Sequence, residues 1–186
     1  MLVIAGPPGG GKSSTYPVAR QGIDYFDADR RCAELNGGSW RSIPQSIRNI
    51  VNREFEAFIE GHIAERESFT FETTLRSSIT FTQAGRARQA GFRLEMKYIA
   101  LRSVDMHLER VAARADKGGH SASEGKIREI HASSMVNLRQ ALAEFDEVRV
   151  YDNSGHGPEL ALVCQSGRVT WISADAPPWV RDAVTD

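Results

Sequence analysis

Three observations in this 186-residue chain predict an α/β fold, a mostly parallel sheet with helices on both faces and a β-hairpin at the C-terminal end. Short apolar runs alternate with helix-patterned stretches, the order from which parallel sheets are built. The first run, Leu2-Val3-Ile4-Ala5, leads directly into the glycine-rich turn Gly6-Pro7-Pro8-Gly9-Gly10-Gly11-Lys12-Ser13. Near the other end, Gln165-Ser166-Gly167-Arg168 separates two strand-like runs with turn residues suited to a hairpin.

Taken in order, strands are expected at Leu2–Ala5, 23–26, 69–71, 93–101 and 148–151. A helix is predicted from Ser13 to about residue 20, closed by Gly22, and the capping-box pattern Ser42-x-x-Gln45 opens another. Residues 77–90 read as a helix closed by Gly91. Beyond Ser103, the residues Val104, Leu108, Val111 and Ala115 form an apolar helical stripe, with Arg110 and Arg114 four apart on one flank. After Lys117-Gly118-Gly119-His120, a second box, Ser121-x-x-Glu124, opens a long helix. Its Ile127, Ile130, Leu138, Leu142 and Phe145 keep helical spacing, and Arg128 lies on its polar side. Residues 159–172 form the hairpin, followed by Pro177-Pro178-Trp179 and a short tail.

A composition that is 41% hydrophobic and 25% charged is that of a globular protein, and the length fits one domain over residues 1–186. The formal net charge of −1 gives no basic footprint, which disfavours nucleic acid and anionic membrane as partners. No apolar run approaches membrane-spanning length, and the chain opens straight into the strand before the glycine-rich turn, so a cytoplasmic location is expected. Cys32 and Cys164 are too few for a disulfide framework, and the five histidines show no metal-ligand spacing.

The turn matches G-x-x-x-x-G-K-[ST] in full, with a strand before it and helix-compatible sequence after it, and so predicts a nucleoside triphosphate as ligand. Gly6, Gly9, Gly10 and Gly11 let backbone N–H groups approach phosphate without side-chain obstruction, and Ser14 continues the turn into the helix whose dipole faces the anion. Lys12 is expected to reach the β- and γ-phosphates. Ser13 is expected to offer its hydroxyl to Mg²⁺, an ion that shares its oxygen coordination between protein, water and phosphate.

Ligands of open α/β sheets sit at the carboxyl ends of the strands. Just after the second strand come Asp27 and Asp29, either of which could accept a proton from a substrate hydroxyl or simply cap a helix. Just after the third come Glu72, Thr74 and Arg76, suited to binding substrate hydroxyls and anionic oxygens. Arg76, Arg110, Arg114 and Arg128 can neutralise phosphate oxygens, although single arginines more often serve as surface charges.

The ordered set Gly6-x-x-x-x-Gly11-Lys12-Ser13, Asp27-x-Asp29-Arg30, Phe71-Glu72-Thr73-Thr74-Leu75-Arg76, Arg114 before Gly118-Gly119-His120, Lys126-Ile127-Arg128 and Val150-Tyr151-Asp152-Asn153-Ser154 resembles the zeta toxin family of P-loop kinases over residues 1–155. The resemblance implies a P-loop kinase-like sheet and a kinase that uses ATP or GTP with Mg²⁺ to phosphorylate a hydroxyl. In the studied members that hydroxyl belongs to the amino sugar of a UDP-sugar. It also implies an antitoxin protein as a candidate partner. Carried over by motif, Asp29 is similar to the base, Asp27 to its neighbour in the same turn, and Glu72 and Thr74 to the substrate-binding pair followed by Arg76. Arg114 and Arg128 resemble the arginines that stabilise the transferring phosphate, with Lys12 on the same phosphate. Asn153 falls near the nucleotide. The studied toxins are longer and carry Glu-Gly-Thr where this chain has Glu72-Thr73-Thr74, so a smaller or differently shaped acceptor pocket is expected. Two other readings stay open, a nucleotide-dependent switch with no acceptor and a nucleotide or polynucleotide kinase. Residues 156–186 lie outside the resemblance.

Overall fold

A computed structural model describes residues 1–15, 22–116 and 122–185. Seven strands form one sheet in the order β2-β3-β1-β4-β5-β6-β7: β1 (Leu2–Ala5), β2 (Asp24–Phe26), β3 (Phe69–Thr73), β4 (Glu95–Ala100), β5 (Glu147–Asp152), β6 (Glu159–Gln165) and β7 (Arg168–Ile172). The first five pair in parallel, while β6 pairs antiparallel with β5 and β7 antiparallel with β6, as the predicted class and C-terminal hairpin require. Seven helices accompany them among the described residues: α1 (Lys12–Thr15), α2 (Ala28–Leu35), α3 (Gln45–Glu65), α4 (Ile79–Gln89), α5 (Val104–Asp116), α6 (Glu124–Glu144) and α7 (Pro178–Asp182).

Alternation along the central strands divides the buried side chains between two faces. Val3 is in register with Phe71 and Met96, and Ala5 with Tyr98, and these residues belong to the main core. That core also takes Ile59 from α3, Phe81 and Ala84 from α4, Leu138 and Leu142 from α6, and Val180 from α7. Ile4 and Ile99 point the other way, with Leu2, Tyr25 and Tyr151 packed against them. The edge strand β2 has only three residues and pairs only with β3, so aromatic packing holds it: Phe26 lies 5.2 Å from Phe55 and 5.4 Å from Phe58, ring centre to ring centre. Each such ring contributes about 1.5–3 kcal/mol when fully buried. This cluster fixes the carboxyl end of β2, from which the Asp27-x-Asp29 segment leaves.

Several boundaries differ from the sequence reading for identifiable reasons. The Ser42-x-x-Gln45 box does not form: Ser42 has φ 51°, and α3 starts one residue after Pro44, an N-cap with no side-chain bond. The helix read from residue 77 starts at Ile79, after an N-cap Ser78 that also makes no capping bond. α6 is capped by Ser123, whose side chain accepts from the Lys126 N–H. The alternative cap Ser121, the loop 117–120 and the end of the helix after Ser13 lie outside the described residues. In the hairpin, Ser166 and Gly167 both have positive φ (48° and 76°), the conformation that a tight two-residue turn between twisted strands demands. No helix of the described residues is long and apolar enough to cross a membrane.

Candidate active site

β1 ends at Ala5, and the chain then passes through the glycine-rich turn into α1, in contact with the carboxyl end of β4. A Cβ at Gly6 would collide with the Ile99 carbonyl oxygen, and one at Gly11 with the Asn153 side chain, while both residues hold φ values (138° and 90°) that suit glycine. These two positions account for the motif's first and last glycines. The Gly10 N–H closes a turn on the Pro7 carbonyl at 3.2 Å. The N–H groups of Gly9, Gly11, Lys12 and Ser13 make no hydrogen bond among the described residues. N–H donors left unpaired on successive residues of such a turn are the chemistry that cradles phosphate. Lys12 is buried, with Nζ donating to the Gly6 carbonyl at 2.8 Å and the Pro7 carbonyl at 3.3 Å.

Glu72, one residue before the end of β3, meets this turn. Its carboxylate lies 3.7 Å from Lys12 Nζ and accepts hydrogen bonds from Ser13 Oγ at 2.9 Å and from the Tyr25 hydroxyl at 3.0 Å. Burial first and then the Glu72 charge push the Tyr25 phenol well above its ordinary range, so it remains a donor. Glu72, expected on the acceptor side, is thus also in contact with the phosphate-loop lysine and serine. Among the described residues no three His, Cys, Asp or Glu side chains cluster as a metal cage. The pair of Ser13 hydroxyl and Glu72 carboxylate fits Mg²⁺, which binds through one or two protein oxygens and takes its other ligands from water and phosphate.

Asp27 and Asp29 both sit at the start of α2, a helix that the sequence reading did not place. Asp27 is the N-cap of α2, its carboxylate accepting from the Arg30 N–H at 3.0 Å. Burial raises its carboxyl above the usual range, the Arg30 N–H pulls the other way, and the Glu72 and Asp29 charges add to the rise. Asp29 sits exposed in the first turn of α2. Asp27, and not Asp29, lines a cavity of about 180 Å³ together with Tyr25, Phe26, Arg30, Arg31 and Glu34. A larger, open cavity of about 540 Å³ touches Met1, Phe69 and Glu95, the amino ends of the parallel strands, and so lies at the wrong end of the sheet for the loop chemistry.

After β3 the chain turns sharply. Leu75 is buried yet has φ 54°, unusual for a bulky side chain, and two bonds hold it there: its N–H donates to Thr73 Oγ1 at 3.1 Å, and Asn137 on α6 donates to its carbonyl at 2.8 Å. Thr74 is half-buried and Arg76 exposed on either side of this turn. Thr73, which stands where the resembled family has glycine, therefore supplies the hydroxyl that supports the turn.

The four arginines divide. Arg76 and Arg114 make no ion pair or hydrogen bond among the described residues. Arg110 donates to the Asn153 carbonyl at 2.8 Å. Arg128 is held by Asp105 and Glu124, each at 2.9 Å. The sequence reading gave no role to His107. It is fully buried on α5, with Nδ1 2.7 Å from the Pro8 carbonyl and Nε2 3.0 Å from the Leu101 N–H. Asn153, at the end of β5, donates to the Gly10 carbonyl at 2.9 Å and to Thr15 Oγ1 at 3.3 Å.

No known protein-family profile matches the chain. An uncharacterized protein of Haemophilus influenzae is 25% identical over 128 residues, covering 68% of this chain and 89% of its own length. Among solved structures, a chain of the PezAT chromosomal toxin-antitoxin system of Streptococcus pneumoniae superposes with a TM-score of 0.68 at 14% identity, over 99% of this chain and 76% of that one. The AvrRxo1-ORF1:ORF2 complex with ATP gives a TM-score of 0.70 at 13% identity, over 99% of this chain and 63% of its counterpart, so this chain spans less than two thirds of that longer protein. The chain has the P-loop kinase-like fold of these two structures, the fold that its resemblance to the zeta toxin family implied.

Proposed function

We propose that the protein is a kinase that transfers the γ-phosphoryl group of ATP to a hydroxyl of a small molecule, a UDP-amino sugar being the acceptor that the family resemblance favours. The observation that carries the proposal is the juxtaposition of Lys12, Ser13 and Glu72, which joins a phosphate cradle to the start of the acceptor block within hydrogen-bond reach. In this reading the free N–H groups of Gly9, Gly11, Lys12 and Ser13 hold the β- and γ-phosphates. Lys12 exchanges the carbonyls of its own loop for phosphate oxygens. Ser13 and Glu72 would hold Mg²⁺, which would neutralise the charge that develops on the phosphates during transfer.

Asp29 orients the acceptor hydroxyl and takes its proton as the hydroxyl oxygen forms a bond to the γ-phosphorus. The bond from that phosphorus to the β–γ bridging oxygen breaks, and ADP leaves with the electron pair. Arg114 offsets the charge on the transferring group, and Arg76 and Thr74 bind the acceptor. Arg128 can join only by releasing Asp105 and Glu124.

A second reading rests on the same contact. A carboxylate bonded to the loop serine from the end of a neighbouring strand also serves in nucleotide switches, which transfer phosphate only to water. Incubation with γ-labelled ATP and separate pools of UDP-sugars, small metabolites and oligonucleotides decides between them. Label is expected in the UDP-sugar or metabolite pool. Label released only as free phosphate would favour the switch, and labelled oligonucleotide ends would make the protein a polynucleotide kinase.

A further inference from the structure

We infer that His107 is a positioning residue for nucleotide binding, one that together with Asn153 turns two peptide planes of the phosphate loop so that their N–H groups face the triphosphate. The inference rests on the reading of the loop as a triphosphate cradle.

The argument begins with the planarity of the peptide unit. In a trans peptide the C=O of one residue and the N–H of the next point in opposite directions, so fixing a carbonyl aims the following N–H. The chain has no cis peptide among the described residues. His107 Nδ1 binds the Pro8 carbonyl at 2.7 Å, which turns the Gly9 N–H away from α5. Asn153 Nδ2 binds the Gly10 carbonyl at 2.9 Å, which turns the Gly11 N–H away from β5. Both N–H groups are among those with no partner in the described residues. The two anchors are themselves secured. The Asn153 N–H donates to the Ala100 carbonyl at 2.9 Å, and its carbonyl accepts from Arg110 at 2.8 Å. His107 Nε2 accepts from the Leu101 N–H at 3.0 Å.

This pairing fixes the tautomer of His107. The Pro8 oxygen can only accept, so Nδ1 carries the hydrogen, and the Leu101 N–H can only donate, so Nε2 is bare. An imidazolium would lose the second bond. Burial lowers the pKa of His107 to about 4; the bond to the Pro8 carbonyl pulls the other way, and the His131 ring on α6, Lys12 in the loop and Arg110 on α5 add to the fall. Gly9 completes the fit, because a Cβ there would lie 2.8 Å from the His107 carbonyl oxygen.

The test measures calorimetric affinity for two probes, Mg-ATP and Mg-tripolyphosphate, alongside thermal stability, in the parent and in His107→Ala, His107→Phe and His107→Asn. The asparagine amide overlays Nδ1 and can keep the bond to Pro8, but has no acceptor at the Nε2 position. Ala and Phe are expected to weaken both probes about tenfold or more, because donors to charged groups lose their aim. Asn is expected to bind within about threefold of the parent even though it loses stability through the Leu101 N–H. Parent-like affinity in Ala and Phe would overturn the inference, as would losses that simply track melting temperature with Asn no better than Ala. If Ala and Phe do not fold, the Asn variant and long-range ¹H–¹⁵N spectra of the parent still decide it: a hydrogen on Nε2 of His107 contradicts the geometry. A parent that binds neither probe would instead defeat the reading of the loop.

Discussion

Replacing Arg114 with alanine is expected to slow phosphoryl transfer by ~10³–10⁵ while leaving affinity for Mg-ATP within a small factor of the parent. The reasoning concerns where its charge can go. Arg114 is exposed in the last turn of α5 and has no ion pair or hydrogen bond among the described residues. A group that meets the substrate only as charge develops on the moving phosphoryl stabilises the transition state more than the bound state, so its loss falls on turnover rather than on affinity. Arg128→Ala supplies the comparison. That residue already commits its donors to Asp105 and Glu124 at the surface, where solvent screens the pairs, and its removal is expected to have the smaller kinetic effect. Single-turnover transfer of label from γ-labelled ATP to the accepting pool measures both variants. Full-speed transfer by Arg114→Ala would remove Arg114 from the reaction.

Asp29→Asn is expected to slow transfer by ~10²–10⁴, the usual contribution of a positioned base, with only a small loss of stability, because the side chain is exposed and caps nothing and gives up only its charge in the first turn of α2. Asp27→Asn is the informative control. Asparagine caps a helix as well as aspartate does, so the α2 N-terminus stays intact while only the charge beside Glu72 is lost. If the roles are as proposed, the Asp27 variant keeps most of its transfer rate and the Asp29 variant does not. The reverse order would move the base to Asp27, where burial already favours proton uptake.

The phosphate loop was legible in the sequence because its chemistry is local: eight consecutive residues carry the turn, the backbone donors, the cation and the hydroxyl proposed for Mg²⁺. The hairpin was legible for the same reason, since Ser166-Gly167 sets its own turn conformation. α2 was not, because it spans only two turns, and its apolar positions Ala28, Cys32, Ala33 and Leu35 are too few and mostly too small to stand out, with only Cys32 and Ala33 buried. The box at Ser42 misled because a side-chain pattern cannot report that Pro44 sets the start of α3.

At the site, the sequence placed Glu72 beside the acceptor, but its contact with Lys12 and Ser13 depends on β3 pairing next to β1, a long-range fact. The brace behind the loop is long-range as well, since His107 and Pro8 lie 99 residues apart. One signal was present all the same. His107 falls between Val104 and Val111 at helical spacing, a polar residue on the face that α5 buries, and a buried polar group must find partners.

Isothermal titration of Mg-ATP into the parent protein and into Lys12→Ala, with both shown to be folded, tests most directly whether the segment from Gly6 to Ser13 holds a triphosphate. The account predicts one saturable site in the parent that is lost in the variant. Equal heats from the two proteins, whether both bind or neither does, would contradict it.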